Sequence, residues 1–144
     1  ICNGFQVLTE SGLLPGALLH NESHKFICKN VFLKTITGDS LITKDCQKNP
    51  IKIPIAHGEG RYFCDKKTLD DLIQNDQILF KYCDKNGNVK DSANPNGSLL
   101  NIAGICNKDR NVFGMMPHPE RASDKNLKNI DGKILFDSIL KNLA

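Results

Sequence analysis

The sequence has 144 residues, of which 40% are hydrophobic and 24% are charged, and its formal net charge is +3. It holds no apolar run near the roughly 20 residues that span a bilayer, so we expect no membrane partner. Its basic residues are spread along the chain and are not interleaved with aromatic side chains, which argues against a nucleic-acid partner.

The cysteines are widely separated and form no Cys-x-x-Cys pair, so neither a zinc knuckle nor a redox pair is supported. We therefore expect reduced thiols, no metal site and a cytoplasmic location. The six cysteines are Cys2, Cys28, Cys46, Cys64, Cys83 and Cys106.

The first segment predicts a buried strand that delivers Cys2 into a tight turn, followed at once by a helix over residues 4–14. Gly12, together with the proline and glycine at positions 15 and 16, predicts the end of this helix. A helix N-terminus favours an anion, so Cys2 is the candidate nucleophile. Gly4 is expected to be required because such a sharp turn leaves no room for a Cβ.

The rest of the chain predicts strands and two further helices. The predicted strands cover residues 25–36, 51–56, 77–83 and 99–106, and the last of these forms a hairpin with residues 112–116. The helix over residues 68–74 is predicted to bury Leu69, Leu72 and Ile73. The helix over residues 132–143 is predicted to bury Phe136, Ile139, Leu140 and Leu143.

Strands mixed with helices, and a nucleophile at the end of a strand, predict a single α/β domain. We expect an open, mostly parallel sheet flanked by helices, of the flavodoxin-like kind, with the antiparallel hairpin near its C-terminus. The active site is expected at the edge of the sheet where the strands end.

The segment around His118 supplies the other groups that a catalytic cysteine needs. Proline disfavours a helix here, and in an extended segment residues i and i+2 share a face, so Glu120 is predicted to contact the imidazole of His118. Cys2, His118 and Glu120 then form a candidate triad. The alternative is a buried core thiol at Cys2 and a surface-loop histidine at His118.

These two segments, Cys-Asn-Gly-Phe-Gln at 2–6 and Pro-His-Pro-Glu-Arg at 117–121, resemble the signatures of class I, triad-type glutamine amidotransferases. Further segments restrict the resemblance to one kind of amidotransferase; they lie at residues 56–62, 94–98, 102–105 and 114–116. Together they resemble the glutaminase component of phosphoribosylformylglycinamidine synthase, an enzyme of purine synthesis. Members of that family begin with βα units that carry an oxyanion loop, so we expect residues 1–144 to be the C-terminal two-thirds of one such domain.

The resemblance implies that Cys2 attacks the side-chain amide of glutamine, with Asn3, Gly4, Gln6 and His57 on the substrate side. It implies that ammonia passes to a synthetase subunit (PurL-like), with a small bridging subunit (PurS-like) in the complex. The synthetase would hold ATP and Mg²⁺, and no cofactor is expected in this chain.

Several alternatives stay open from the residues alone. Another class I amidotransferase or a γ-glutamyl hydrolase would use the same triad, and a non-catalytic docking module could keep the fold. Gln6 could pack locally, and the charged residues of 57–61 could line the pocket mouth, dock the synthetase or form an exposed turn. Residues 94–98 are first a turn-forming string, and a role in the pocket or in an interface stays equally open. His20 and His24, with Asn21 and Ser23 between them, could shape the loop that receives the substrate, but the two histidines are expected to be structural.

Overall fold

The computed structural model describes residues 1–46 and 50–143, which form helices and strands as the α/β class predicts. The α-helices are α1 (Asn3–Glu10), α2 (Lys66–Gln74) and α3 (Lys133–Leu143). The strands are β1 (Ala17–His20), β2 (Ile27–Thr35), β3 (Ile51–His57), β4 (Glu59–Phe63), β5 (Ile78–Cys83), β6 (Ile102–Cys106) and β7 (Phe113–Met115).

Two sheets organise these strands. One has five strands in the order β3-β2-β5-β6-β7, and the other pairs β1 with β4. The predicted C-terminal hairpin is confirmed, because β6 and β7 pair with Gly104 opposite Met115 and Cys106 opposite Phe113.

The mostly parallel sheet is wrong for the described residues, since every strand pair among them is antiparallel. Two parallel strands of one sheet are joined by a crossover connection, usually a helix, which carries the chain back to the end of the sheet where the first strand began. Helix α2 joins β4 to β5, and these strands belong to different sheets. It therefore makes no such crossover.

All five residues of β6 are buried, because apolar clusters cover both faces of this strand. One cluster lies between the five-stranded sheet and α3 and includes Leu33, Phe80 and Leu135. The other joins α1, α2 and β4 and includes Phe5. The ring of Phe5 stacks on that of Tyr62 with centroids 5.9 Å apart, which ties α1 to β4.

Helix α1 begins directly after Cys2, as predicted, but ends at Glu10 rather than near residue 14. Gly12 follows in a left-handed conformation with φ of +75°. Leu14 is buried from the turn after the helix, where its N–H donates to the carbonyl oxygen of Leu8. The apolar spacing therefore identified the buried residue but extended the helix too far.

The predicted buried face of α3 is wrong for Phe136, Leu140 and Leu143, which are exposed, whereas Ile139 packs partly buried against the core. Leu140 and Leu143 are largely exposed, whereas Leu135 and Ser138 are fully buried. The Ser138 hydroxyl donates to the carbonyl oxygen of Leu41 at 2.7 Å. This polar contact fixes the rotation of a helix that carries apolar residues on two faces. In α2, Leu72 is buried as predicted, and Ile73, at 51% exposure, is not.

The close packing of β7 against α1 makes Gly114 a sensitive position. A Cβ there would overlap the Phe5 ring and lie 3.0 Å from Cδ1 of Leu14. We expect Gly114→Ala to lower the free energy of unfolding by about 1–3 kcal/mol, because overpacking strains a close-packed core. Urea unfolding would measure the change. Gly38→Ala is the matched control, since a Cβ at Gly38 meets no described atom within 4 Å. An equal loss in both variants would contradict this account.

Within the described ranges, none of the helices is long and apolar enough to cross a bilayer.

Candidate active site

Cys2 lies immediately before α1 in a conformation that non-glycine residues rarely adopt, with φ of 51° and ψ of −111°. Such strain persists only where the surroundings impose it, and it concentrates at functional sites. Here the Cys2 N–H donates to the carbonyl oxygen of Met115 at 2.8 Å. The N–H of Asn3 has no hydrogen-bond partner among the described residues. The thiol therefore adjoins a free backbone donor at a helix N-terminus, where an anion is favoured.

Gly4 does not have the steric role that was expected of it. A Cβ at this position would meet no described atom within 4 Å. The prediction that the tight turn leaves no room for a side chain is thus wrong for the described residues. There is open space beside Gly4 in the first turn of α1. The contact between Gly4 and substrate stays a prediction.

His118 and Glu120 contact each other as the sequence predicts, with 2.6 Å between Nδ1 of His118 and Oε1 of Glu120. Because a carboxylate only accepts, Nδ1 carries a proton in this pair. The Nε2 atom of His118 is buried and has no hydrogen bond within the described part of the chain. It is thus free to exchange a proton with a reacting group. Arg121, 3.6 Å from the same carboxylate oxygen, helps to hold Glu120.

Strand β3 brings Cys2 and His118 to the same side of the sheet. The Cys2 sulfur is 3.8 Å from the carbonyl oxygen of Ala56, and the His118 N–H donates to that of Pro54 at 2.8 Å. Pro54 and Ala56 are two residues apart on β3, so their carbonyl groups point to the same edge of the strand. Along the strand these two residues lie about 6–7 Å apart. The Cys2 thiol and the backbone of His118 therefore contact β3 two residues apart along one edge.

His57 is a second imidazole in this region. It ends β3 and is buried, with its ring packed against Gly60 so closely that a Cβ there would overlap it. Its Nδ1 lies 2.9 Å from Oδ1 of Asn21. Burial, together with the nearby charge of His118, lowers the pKa of His57 to about 4. His57 is therefore neutral near pH 7. Its predicted role toward substrate stays a prediction.

The buried His57 makes stability pH-dependent. We expect the free energy of unfolding to fall by about 3 kcal/mol as the pH drops from 6.5 to about 4. In this window the unfolded imidazole binds a proton, whereas the folded one stays neutral. Above pH 6.5 both states are neutral, so His57 contributes no slope.

Urea unfolding between pH 4 and pH 7 measures this dependence. His57→Gln should flatten the curve, and His24→Gln, at an exposed histidine, should leave it unchanged. An undiminished acid slope in His57→Gln would show that other groups cause it.

Residues 94–98 form a buried support for the site. The side-chain carbonyl oxygen of Asn94 accepts from the backbone N–H groups of Asn96, Gly97 and Ser98. Asn96 is 2% exposed, and its side chain donates to the carbonyl oxygen of Gly60 at 2.8 Å. This string is thus a turn, as predicted, and it holds the start of β4 in place beneath His57.

Tyr82 is a residue near the site that the sequence did not indicate, and the contact of Asn21 with His57 was not indicated either. Burial raises the pKa of the Tyr82 phenol. The side chain of Asn96 lowers this pKa, and the charge of Cys2 raises it. The Tyr82 hydroxyl therefore stays protonated close to Cys2. A tyrosine in an apolar strand and an asparagine between two histidines carry no local sign of this role.

Gln6 lies beside the site, and its amide is engaged locally. Its Nε2 donates to Glu10 at 3.1 Å and to Glu59 at 3.4 Å. Glu59 also lies 3.5 Å from Nδ1 of His20, whose ring is 6.3 Å from that of His24. These residues therefore form a surface network around Glu59. A contact of Gln6 with substrate stays a prediction.

The residues predicted as an open charged loop are largely strand. His57 ends β3, and Glu59 and Arg61 belong to β4, so only Gly58 separates the two strands. Phe26, which is 68% exposed, lies 3.9 Å from the place of a Cβ at Gly58. The interpretation as an ordinary exposed turn is therefore wrong for His57, which is buried.

Comparison with known proteins adds a family and several relatives. A family model described as a CobB/CobQ-like glutamine amidotransferase domain matches residues 1–135. The chain is 53% identical over 143 residues to the phosphoribosylformylglycinamidine synthase subunit PurQ of Pelagibacter ubique, covering 99% of this chain and 63% of that protein. It is 55% identical to the subunit of the same name in Acaryochloris marina, covering 99% and 61%.

A solved structure is similar as well. A chain in the structure of PurLQS from Thermotoga maritima matches with a TM-score of 0.81 and 46% sequence identity, covering 99% of this chain and 59% of that chain. The predicted membership of the glutamine amidotransferase fold is thereby confirmed. The present chain spans about three-fifths of the length of these relatives.

Proposed function

Because this chain belongs to the CobB/CobQ-like glutamine amidotransferase domain family, we propose that it supplies the glutaminase site of a phosphoribosylformylglycinamidine synthase. The observation that carries this proposal is the placement of Cys2 and His118 along one edge of β3, with Glu120 on the far nitrogen of the imidazole. A nucleophile beside a base that a third group orients is the arrangement that acyl transfer requires.

The reaction begins when the Cys2 thiolate attacks the side-chain carbonyl carbon of glutamine. The carbonyl oxygen becomes an oxyanion, which the free N–H of Asn3 stabilises from the start of α1. The proton released from the thiol goes to Nε2 of His118, and Glu120 stabilises the resulting imidazolium through Nδ1.

His118 then gives that proton to the leaving nitrogen, the carbon–nitrogen bond breaks, and ammonia departs. A γ-glutamyl thioester remains on Cys2. With Nε2 neutral again, His118 takes a proton from water, which attacks the thioester and releases glutamate. Each step uses groups of this chain, so we propose that the glutaminase half-reaction needs no cofactor.

The relatives' names indicate where the ammonia goes. They are subunits of phosphoribosylformylglycinamidine synthase, and the similar solved structure is that of PurLQS. We therefore propose that this chain works with a synthetase subunit (PurL-like) and a bridging subunit (PurS-like). The synthetase would use ATP and Mg²⁺ to convert formylglycinamide ribonucleotide into formylglycinamidine ribonucleotide.

A transfer assay tests this proposal. The full-length protein, combined with its synthetase partners and ATP, is given glutamine labelled with ¹⁵N at the side-chain amide. We expect the label in formylglycinamidine ribonucleotide. Glutamate release without label transfer would support a γ-glutamyl hydrolase or another acceptor, and no glutamate release would support a docking module.

A further inference from the structure

We propose that Asn21 and His57 form an acceptor that selects the carboxamide of glutamine over the carboxylate of glutamate. This inference rests on the proposed function, and it assigns to His57 the recognition of one group, the amide nitrogen that becomes ammonia. Asn21 acts through His57 and is therefore a positioning residue.

The hydrogen bonds of Asn21 fix the tautomer of His57. The Asn21 amide nitrogen donates at 2.8 Å to two carbonyl oxygens, those of Lys25 and His57 itself. The amide is therefore oriented with its oxygen toward the ring, 2.9 Å from Nδ1. Since an amide oxygen only accepts, Nδ1 must carry the hydrogen. In the neutral ring, Nε2 is then left with a lone pair and no proton.

That lone pair is buried and unused. His57 is 4% exposed, and its Nε2 has no hydrogen bond within the described part of the chain. Buried acceptors in native proteins are nearly always satisfied, so an empty one indicates a donor that comes from outside the described residues. A donor on a ligand would complete the pair.

The surroundings place this acceptor at the reacting centre. The carbonyl oxygen of Ala56, the residue before His57, is 3.8 Å from the Cys2 sulfur. His118 is bound to β3 through its N–H at Pro54, three residues before His57, and its charge acts on the His57 ring. The carboxamide of a glutamine attacked by Cys2 must lie in this region.

The chemistry of the two side chains then gives the selection. A carboxamide has an NH₂ group that can donate to Nε2, whereas a carboxylate has only acceptors. If glutamate bound, a lone pair of its carboxylate oxygen would face the lone pair of His57 Nε2 in a buried site. The repulsion between them would disfavour glutamate. The same repulsion would favour release of the glutamate product.

The acceptor must stay neutral to work. Burial is the main cause that lowers the pKa of His57 to about 4, and among the described residues a proton on His118 would oppose a second one on His57. Asn21 and Gly60, which pack against the ring, are uncharged. Near neutral pH, Nε2 therefore presents a lone pair.

Asn21→Asp tests the inference in the full-length protein with its synthetase partners. A carboxylate beside Nδ1 stabilises the imidazolium, so Nε2 gains a proton and becomes a donor. We expect the ratio of the inhibition constant of glutamate to the KM of glutamine to fall at least tenfold near neutral pH. The ratio should recover as the pH rises and His57 loses its proton, which a merely structural role would not produce. Ammonia-dependent synthesis should be unchanged.

Two further variants complete the test. Asn107→Asp is the matched control, because it also replaces the amide of a hydrogen-bonded asparagine, here in the hairpin between β6 and β7. This variant should keep the wild-type ratio. His57→Gln offers both a donor and an acceptor, so it should lower the ratio without the pH dependence, and it decides the matter if Asn21→Asp fails to fold. A wild-type ratio in His57→Gln overturns the inference. A wild-type protein that does not hydrolyse glutamine overturns the proposed function as well.

Discussion

Replacing Cys2 with alanine is expected to abolish glutamine-dependent synthesis while synthesis from added ammonium salt continues. The thiol is the nucleophile of the proposed reaction, and loss of such a group costs on the order of 10⁴-fold or more in rate. In the proposed complex, added ammonia would bypass this site and reach the synthetase directly. Steady-state assays of the full-length complex with each nitrogen source measure the two activities.

The raised pKa values of four other thiols explain why these cysteines should not react in place of Cys2. Burial raises the pKa of Cys46 to about 12 and that of Cys83 to about 11, so both stay protonated near neutral pH. Burial also raises the pKa values of Cys64 and Cys106. These four are poor nucleophiles because the thiolate is the reactive form.

Cys28 provides the matched control. It is exposed and pairs with Ala56 across β2 and β3, so it lies on the strand next to the site. Cys28→Ala should keep glutamine-dependent activity, and a glutamine-analogue electrophile should label Cys2 in that variant. Labelling at Cys28, or a Cys2→Ala variant that still uses glutamine, would contradict the assignment.

The parts of the site that the sequence predicted are those set by short-range rules. A cysteine just before an amphipathic segment predicts a helix N-terminus, and α1 begins at Asn3. Histidine and glutamate two residues apart beside prolines predict a contact, and the two groups are 2.6 Å apart. Neither prediction needs information about how distant segments pair.

The parts that the sequence missed depend on distant contacts. Asn21 is 36 residues from His57, and Asn96 is 36 residues from Gly60. Nothing in the local sequence distinguishes such asparagines from ordinary turn residues. The burial of His57 was missed partly for the same reason, since Asn21 comes from a distant segment, whereas Gly60 lies three residues away.

Strand direction and helix rotation failed on similar grounds. Alternating apolar residues identify a strand but do not say which neighbour it pairs with or in which direction. In α3 the apolar residues allow two buried faces, and the hydrogen bond from Ser138 to Leu41 selects the face with Leu135. A polar contact across 97 residues therefore decides an orientation that hydrophobic periodicity leaves open.

Replacing His118 with alanine should lower glutamine-dependent synthesis on the order of 10⁴-fold, and Glu120→Gln should lower it by a smaller factor. His118 moves the proton in both halves of the proposed reaction, so its loss stops each. Glu120 only orients the ring and stabilises its charge. Glutamine at position 120 can still offer an oxygen to Nδ1, and the side chain of Glu120 is 48% exposed, so water supplies part of the lost stabilisation.

The order of these two effects separates catalysis from structure. Asp137→Asn is the matched control, because Asp137 is a surface carboxylate of similar exposure that pairs with Lys133 on α3. It should leave both nitrogen sources usable. In His118→Ala and Glu120→Gln, ammonia-dependent synthesis should stay at the wild-type rate, because the proposed synthetase reaction would not use this edge of β3. A parallel loss of both activities would instead mean that the His118–Glu120 pair holds the subunit together, and the base of the glutaminase step would have to be sought among the neighbouring groups, of which His57 is the first to test.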